Sequence, residues 1–176
     1  YDGVDNRLSE TVTTTGTAQG SPSTTVTRGY TYDNRDQLKQ ITDSAAGTTT
    51  LGYDAQGNLL QKVQGGHTTG YIWNARDHLI TVSQDGTVLG RYETDHAGLR
   101  IQKVALDPLN PQAPPQTTRT LWDELNAVQD RDASGNLLTR YEFVSGKPVM
   151  LSASSSDGTQ YLHADALGSI VATTDT

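Results

Sequence analysis

The stretch Tyr53-Asp54-Ala55-Gln56-Gly57-Asn58-Leu59 decides the fold of this chain, because its pattern returns along the sequence. An aromatic residue is followed by Asp or Asn, then by a short polar turn and an apolar residue. Tyr32-Asp33 with Leu38 and Trp73-Asn74 with Leu79 repeat this pattern at a spacing of about 20 residues. Such a period is typical of an array of identical supersecondary units, none of which can bury its apolar face alone.

Three weaker copies extend the array toward both ends of the chain. Tyr1-Asp2 is followed by Leu8, one residue later than in the other copies. Trp122-Asp123 is followed by Val128, and the segment Asp132-Ala133-Ser134-Gly135-Asn136-Leu137 keeps the turn without the aromatic residue. The repeat therefore predicts a structural protein first, and an enzyme only where another feature requires it.

Each repeat predicts a pair of antiparallel strands. In residues 51–82, Asp54 begins a tight turn, because its carboxylate can accept backbone N–H groups and Gly57 supplies a positive φ. Residues 58–63 form the next strand, Gly65-Gly66 turns the chain, and residues 68–73 return. No window of ten or more residues has the apolar spacing of a helix, so we expect an all-β fold of repeated hairpins.

Paired aromatic residues mark the returning strands. They alternate with one intervening residue, as in Tyr30 and Tyr32, Tyr71 and Trp73, and Tyr141 and Phe143. Side chains two apart share a face, so we expect an aromatic ladder that packs adjacent hairpins rather than a platform that stacks on a ligand. Tyr92 has Thr94 at the second position, which predicts a degraded copy there.

Composition and charge narrow the functional classes. The 176 residues include 13 Lys and Arg against 20 Asp and Glu, a formal net charge of −7. The cations are scattered from Arg7 to Lys147 and form no basic patch, which argues against a nucleic-acid partner. No apolar run reaches the roughly 18 residues that a membrane-spanning helix needs. With no cysteine, the sequence predicts neither a disulfide scaffold nor thiolate chemistry.

Candidate catalytic and metal-binding residues are few. His163 and Asp165 would share a strand face, and residues 152–156 are rich in Ser, but no nucleophile-elbow motif accompanies them. We therefore interpret His163 and Asp165 as structural and assign no catalytic residue. The other histidines lack a second His or Cys at ligand spacing, so we expect no metal and no cofactor. The turn carboxylates lack the dense arrangement of a calcium loop and are better explained as caps of the turn backbone.

Two insertions interrupt the repeats, and the first, residues 13–25, is rich in Thr, Ser and Gly and lengthens the first repeat. Residues 107–116 contain four prolines, which cannot donate regularly to a strand ladder. We expect a surface loop inside one hairpin, because the repeat resumes at Trp122. A Pro-rich ligand for a partner's aromatic groove is the alternative for this loop.

The repeated units resemble the YD or Rhs repeats of bacterial polymorphic toxins, of insecticidal toxin-complex C components and of teneurins. The segment Tyr161-Leu162-His163-Ala164-Asp165-Ala166-Leu167-Gly168-Ser169 resembles the signature that begins the Rhs-associated core. The resemblance divides the chain into hairpin repeats over residues 1–160 and the start of that core over residues 161–176. It covers nearly the whole chain, with the two insertions as departures.

The resemblance implies a spiralling antiparallel sheet that winds into a hollow shell around a C-terminal toxin domain. Members of the family release the toxin by aspartyl self-cleavage at an Asp-Pro-x-Gly type of motif. The only Asp-Pro here is Asp107-Pro108, which is followed by Leu109-Asn110 and does not match. No catalytic residue is carried over.

The sequence thus predicts a shell segment of a longer, secreted or cell-surface bacterial protein. Its expected partners are the rest of its own shell and the enclosed toxin. A repeat module that binds carbohydrate or protein at the cell surface is the alternative. Because an isolated array exposes unpaired edge strands, we also expect self-association.

Overall fold

The computed structural model describes residues 1–15, 23–110, 112–144, 147–153, 159–164 and 170–175. These residues form antiparallel strands and contain no helix. The prediction of an all-β fold built from repeated antiparallel hairpins is confirmed. The strands are β1 Ser9–Thr14, β2 Thr24–Tyr32, β3 Leu38–Asp43, β4 Gly47–Tyr53, β5 Leu59–Gln64, β6 His67–Trp73, β7 Leu79–Gln84, β8 Thr87–Thr94, β9 Arg100–Ala105, β10 Gln116–Asp123, β11 Asn126–Arg131, β12 Leu137–Val144, β13 Lys147–Ala153, β14 Thr159–Ala164 and β15 Ile170–Asp175.

The chain divides into two compact units, residues 1–88 and 89–176. In the first unit, β1 to β7 lie in chain order and each strand pairs with the next. In the second unit, β8 to β15 follow the same rule. Each strand is short and rich in Thr, Val, Ile or Tyr, the residues that suit a pleated, half-buried surface.

Two kinds of turn recur in the first unit. A tight hairpin turn joins β5 to β6 and another follows β7, and both central residues of each have positive φ: 60° and 82° at Gly65-Gly66, 49° and 83° at Asp85-Gly86. Two-residue turns of this hand match the twist of the paired strands. Longer turns, each starting at Asp or Asn, occupy the opposite ends of the hairpins.

A buried core is missing from the described residues. Among the residues whose side-chain burial the structure describes, which leaves out those of β13, no hydrophobic side chain is fully buried, and Thr49, 6% exposed, is the one buried polar residue. Both faces of the hairpins are therefore partly open, and their stability depends on turns and cross-strand pairs rather than on an interior.

The proline-containing segment lies between β9 and β10, whose ends pair through Ala105 and Gln116. The hairpin is thus closed at the base of the segment, and Leu109 at its tip is 94% exposed. The predicted boundary between residues 160 and 161 stays a prediction, because the strands around it are described only in part.

Candidate functional site

Six turns among the described residues share one set of hydrogen bonds. In the turn that starts at Asp54, the backbone N–H of Asp54 donates to the oxygen of Asn58 at 3.0 Å, and the N–H of Gly57 donates to the oxygen of Asp54 at 3.3 Å. The Oδ1 atom of Asp54 accepts the N–H of Gln56 at 3.0 Å and of Asn58 at 2.8 Å. The other turns with these bonds start at Asp2, Asp33, Asn74, Asp95 and Asp132.

The charge of the first carboxylate is stabilised by these bonds. The pKa of Asp33 lies below its ordinary value, first because the N–H of Arg35 donates to it and then because the N–H of Gln37 does. The pKa of Asp2 is lowered in the same way, chiefly by the N–H groups of Asn6 and Val4. Asn74 offers a neutral amide oxygen at the same place, so the turn requires an acceptor rather than a charge.

The turn that starts at Asp95 was missed by the sequence pattern. Thr94 stands where the other copies have an aromatic residue, which suggested a degraded copy. The structure shows a complete turn, with Gly98 at a φ of 88°. The spacing of Asp95 and Gly98 was the signal that would have found it, since it matches Asp54 and Gly57.

The first copy also differs from the prediction. The turn that starts at Asp2 ends at Asn6 and has the same length as the others. Arg7, not Leu8, therefore occupies the position that Leu38 and Leu59 hold in the later copies. The apparent extra residue arose because Arg7 replaces an apolar side chain.

The structure corrects the prediction that Trp122-Asp123 begins a copy of the repeated turn. Asp123 pairs directly with Asn126, so only Glu124 and Leu125 form the turn, and Glu124 has a φ of 51°. Asp123 therefore does not begin the longer turn, although Trp122 keeps the role of the repeat aromatic. The sequence pattern alone could not distinguish a two-residue hairpin turn from the longer turn, because Asp is favoured in both.

A β-bulge accompanies the aromatic residue in each repeat. Tyr53 pairs with Leu59, but Gly52 pairs with Gln61, so Leu60 is an extra residue on its strand. The same shift lies between Thr31 and Tyr32, and it recurs between Ile72 and Trp73. A bulge bends its own strand locally, and here it lies next to the residue that pairs with the aromatic one.

The aromatic side chains form hydrogen bonds to the repeat that precedes them. The hydroxyl of Tyr53 donates to the oxygen of Leu38 at 2.9 Å, and the indole Nε1–H of Trp73 donates to the oxygen of Leu59 at 2.8 Å. Tyr32 reaches the oxygen of Arg7 at 2.9 Å by the same route. In the second unit, Trp122 donates to the oxygen of Arg100 at 3.1 Å. Each acceptor is the first residue after a turn.

The expected aromatic ladder is replaced by mixed pairs. Tyr30 pairs across the strands with Ile41, and Tyr71 pairs with Val82. A repeat contributes two strands, so an aliphatic strand always separates the aromatic strands of successive repeats. The aromatic residues contribute packing on one face of the sheet and backbone hydrogen bonds at their tips.

The opposite face of the first unit is mainly polar along β2 to β4, with Lys39 beside Thr31 and Gln40, and Val63 of β5 pairs there with Thr50. The register places these alternate side chains together, because residues two apart on a strand share a face. Thr31 pairs with Gln40, Gln40 with Thr50, and Thr42 with Thr48. The sheet therefore presents two chemically different surfaces.

One charged cluster lies on the aromatic face. The Nε atom of Arg28 lies 2.6 Å from Oδ2 of Asp43, and its Nη1 lies 3.6 Å from Oε2 of Glu10. The hydroxyl of Tyr30 donates to the same Glu10 oxygen at 2.7 Å. Arg28, Tyr30 and Asp43 border an open groove of about 390 Å³ that Lys62 also lines. With its carboxylates already paired, the cluster serves to join β1, β2 and β3.

Acid should remove part of this stabilisation. The pKa of Asp43 is lowered from 3.8 to about 2, first by the N–H of Ala46, then by Arg28 and the N–H of Ala45. Because the pKa of Asp43 is lower in the folded chain than in the unfolded chain, its carboxylate stabilises the fold above pH 3.8. This contribution is lost as the pH falls through about 2. We expect Asp43→Asn to reduce the pH dependence of the free energy of unfolding between pH 3.8 and about 2, as measured by urea unfolding. Asp123→Asn is the control, because the structure describes no hydrogen bond or ion pair of the Asp123 side chain. This substitution should leave the pH dependence of the free energy of unfolding as it is in the parent chain.

The predicted His163 and Asp165 pair falls partly outside the described residues. The Nε2 atom of His163 lies 3.0 Å from Oγ1 of Thr174, which links β14 to β15. Asp165 and Gly168 are outside the described residues. The Nδ1 atom of His67 lies 2.7 Å from Oδ2 of Asp85, beside a hairpin turn. The described residues contain no group of three His, Asp or Glu side chains that could hold a metal ion.

The turn and bulge geometry coincides with a known repeat. Residues 32–69, which span the turns starting at Asp33 and Asp54, match the family model described as RHS Repeat. These units are Rhs repeats. The match includes the Tyr32 and Tyr53 links and the bulge at Leu60 that the structure displays.

Two curated proteins resemble the Rhs repeats of this chain. The tRNA3(Ser)-specific nuclease WapA of Bacillus spizizenii is 29% identical over 180 residues, which cover 99% of this chain and 7% of that protein. The tRNA nuclease WapA of Bacillus subtilis is 30% identical over 147 residues, which cover 81% of this chain and 5% of that protein. The chain thus spans less than a tenth of either relative.

A solved structure shares the fold of the Rhs repeats. The crystal structure of TcdB2-TccC3 superposes with a TM-score of 0.60 at 14% identity, over 93% of this chain and 11% of that chain. No helix among the described residues is long and apolar enough to cross a membrane.

Proposed function

We propose that this run of Rhs repeats forms part of the wall of a hollow β-sheet shell, which encloses a C-terminal toxin or effector domain of the same longer protein. The partners of the chain are then the remaining repeats of the wall and the enclosed domain. The protein would act outside the producing cell, as a secreted or cell-surface protein.

The observation that carries this proposal is the lack of a buried hydrophobic side chain among the residues whose burial the structure describes, which include β1 to β11. Each unit consists of consecutive antiparallel hairpins held by turns, bulges and tip hydrogen bonds. An array of this kind is a wall, because it can continue through further copies without needing an interior of its own.

The chemistry of the chain fits the role of a barrier. The repeats place paired Thr and Gln side chains along one face of β2 to β4, beside Lys39, and the whole chain carries a net charge of −7. Polar surfaces without large apolar patches have little tendency to hold on to an unfolded polypeptide. The described residues offer no metal cluster, and the repeat region is a structural element.

Protection of the downstream domain tests the proposal in the full-length protein. A broad protease should cleave that domain at least about tenfold faster after deletion of residues 54–73, which removes one repeat but keeps the order of turns and strands. Mass spectrometry would follow the surviving fragment.

The matched control deletes residues 108–115, the proline-containing loop outside the strands. This deletion should leave protection unchanged. If the downstream domain is digested equally fast with all the repeats intact, enclosure is wrong, and the loop becomes the first place to look for a binding function.

Association through the open edge strand is a separate expectation for the isolated chain. β1 pairs with β2 on one side, most of its residues are exposed, and Val12 is 40% exposed. Light scattering should detect dimers that Val12→Lys reduces, since a charge on an edge strand opposes further pairing. A monomer at all concentrations would contradict this expectation.

A further inference from the structure

The fourth residue of the repeated turn takes a left-handed conformation in every copy. Three copies use Gly there: Gly57, Gly98 and Gly135. The other copies use Asp, at φ values of 65° for Asp5, 59° for Asp36 and 59° for Asp77. Because a residue with a Cβ is strained in this region, the three Asp residues need a separate reason.

Two of these Asp residues accept a hydrogen bond from the preceding repeat. The Nδ2 atom of Asn6 donates to Oδ1 of Asp36 at 3.1 Å, and Nδ2 of Asn58 donates to Oδ1 of Asp77 at 2.7 Å. Each Asn is the last residue of its own turn and also donates to the first carboxylate of that turn. Both hydrogens of the amide are thus used, one within a repeat and one between repeats.

Where the fourth residue of a turn is Gly, a different side chain ends the turn of the preceding repeat. The turn before Gly57 ends in Gln37, and Nε2 of Gln37 lies 3.0 Å from the position that a Cβ on Gly57 would occupy. The longer Gln side chain therefore fills the space that an Asp would need. Asn with Asp and Gln with Gly are two matched combinations between successive turns.

We propose that Asp5 is the open half of an Asn–Asp pair, and that it docks another hairpin of this repeat whose turn ends in Asn. The Asp5 side chain is exposed and makes no bond to a described residue, yet its backbone has the strained conformation of Asp36 and Asp77. β1 lies beside it with an unpaired edge along which the strand of that hairpin would lie. The docked turn ends in Asn and not in Gln, because Gln matches Gly.

The pairing can be measured first inside the chain. Asn58→Gln and Asp77→Gly each break the Asn–Asp pair, whereas the double variant recreates the combination of Gln37 and Gly57. We expect each single variant to raise the hydrogen-exchange rate of the turn amides at residues 74–78 roughly threefold to tenfold, and the double variant to restore it. Additive effects of the two changes would overturn the matching rule.

Docking at Asp5 is tested by extending the chain. A copy of residues 53–72 placed before Tyr1 puts its Asn58 equivalent 19 residues ahead of Asp5, the separation found between Asn58 and Asp77. The turn amides at residues 2–6 should exchange roughly threefold to tenfold more slowly than with Gln in the copy. Asp5→Gly should reverse that preference.

If the added copy slows exchange of the amides at residues 2–6 equally with Asn or with Gln at the end of its turn, the proposed docking at Asp5 is wrong. This holds even if the pair of Asn58 and Asp77 behaves as expected. Concentration-dependent exchange of the Asn-containing chain, with dimers in light scattering, would also overturn it, since the protection would then come from association.

Discussion

Asn74→Ala is expected to lower the free energy of unfolding by about 1–2 kcal/mol, because two backbone N–H groups lose their acceptor. In the native turn, Oδ1 of Asn74 accepts the N–H of Arg76 at 2.9 Å and of His78 at 3.1 Å. Alanine cannot replace these bonds, and the turn also loses the side chain that favours its conformation. Urea unfolding of the variant would measure the change.

Two control variants separate the lost acceptor from a general effect of substitution. Asn74→Asp should retain most of the stability, since Asp performs the same role in the five other turns of this kind among the described residues. Asn110→Ala removes the same side chain from an exposed loop position and should have almost no effect. Equal losses for Asn74→Ala and Asn110→Ala would contradict the assigned role.

Trp73→Ala is expected to destabilise the chain by roughly 2–3 kcal/mol, somewhat less than the loss of a fully buried Trp. The ring is half-buried, packs on the aromatic face of the first unit, and donates to the oxygen of Leu59 at 2.8 Å. The substitution removes both the packing and the link to the preceding repeat. Thermal and urea unfolding would give the size of the loss.

Tyr53→Phe separates the two contributions. It keeps the ring but removes the donor to Leu38, so a loss of about 1 kcal/mol would report the hydrogen bond. Trp73→Phe removes the equivalent donor together with part of the ring and should cause a larger loss. If both Phe variants match the parent chain, the rings act by packing alone and the tip bonds do not join the repeats.

Local signals made much of the fold predictable. The run from Tyr53 to Leu59 combines a strand end, a carboxylate acceptor and a glycine with positive φ, and each of these acts within a few residues. The Gly65-Gly66 hairpin follows from the same local chemistry. Such elements are read from sequence because their energies depend on neighbours along the chain.

The candidate site was less predictable, because its contacts join residues in different repeats. Arg7 stands in an apolar position, yet its backbone oxygen accepts the Tyr32 hydroxyl as Leu38 accepts Tyr53. A backbone acceptor leaves no trace in the side-chain pattern. The pairing of Asn58 with Asp77 was equally hidden, since it spans 19 residues of sequence.

The sequence by itself determined the repeat, the antiparallel hairpins and the acceptor at the head of the turn at Asp33, Asp54 and Asn74. These follow from periodicity and from the short-range preferences of Asp, Asn and Gly. Only the tertiary structure decided that a bulge lies at Leu60, that Tyr53 bonds to Leu38, that Asp123 is followed by a two-residue turn, and that Asn58 bonds to Asp77. The physical reason is register: where a strand slips by one residue, and which turn lies beside which, depends on cross-strand neighbours that are distant in the chain.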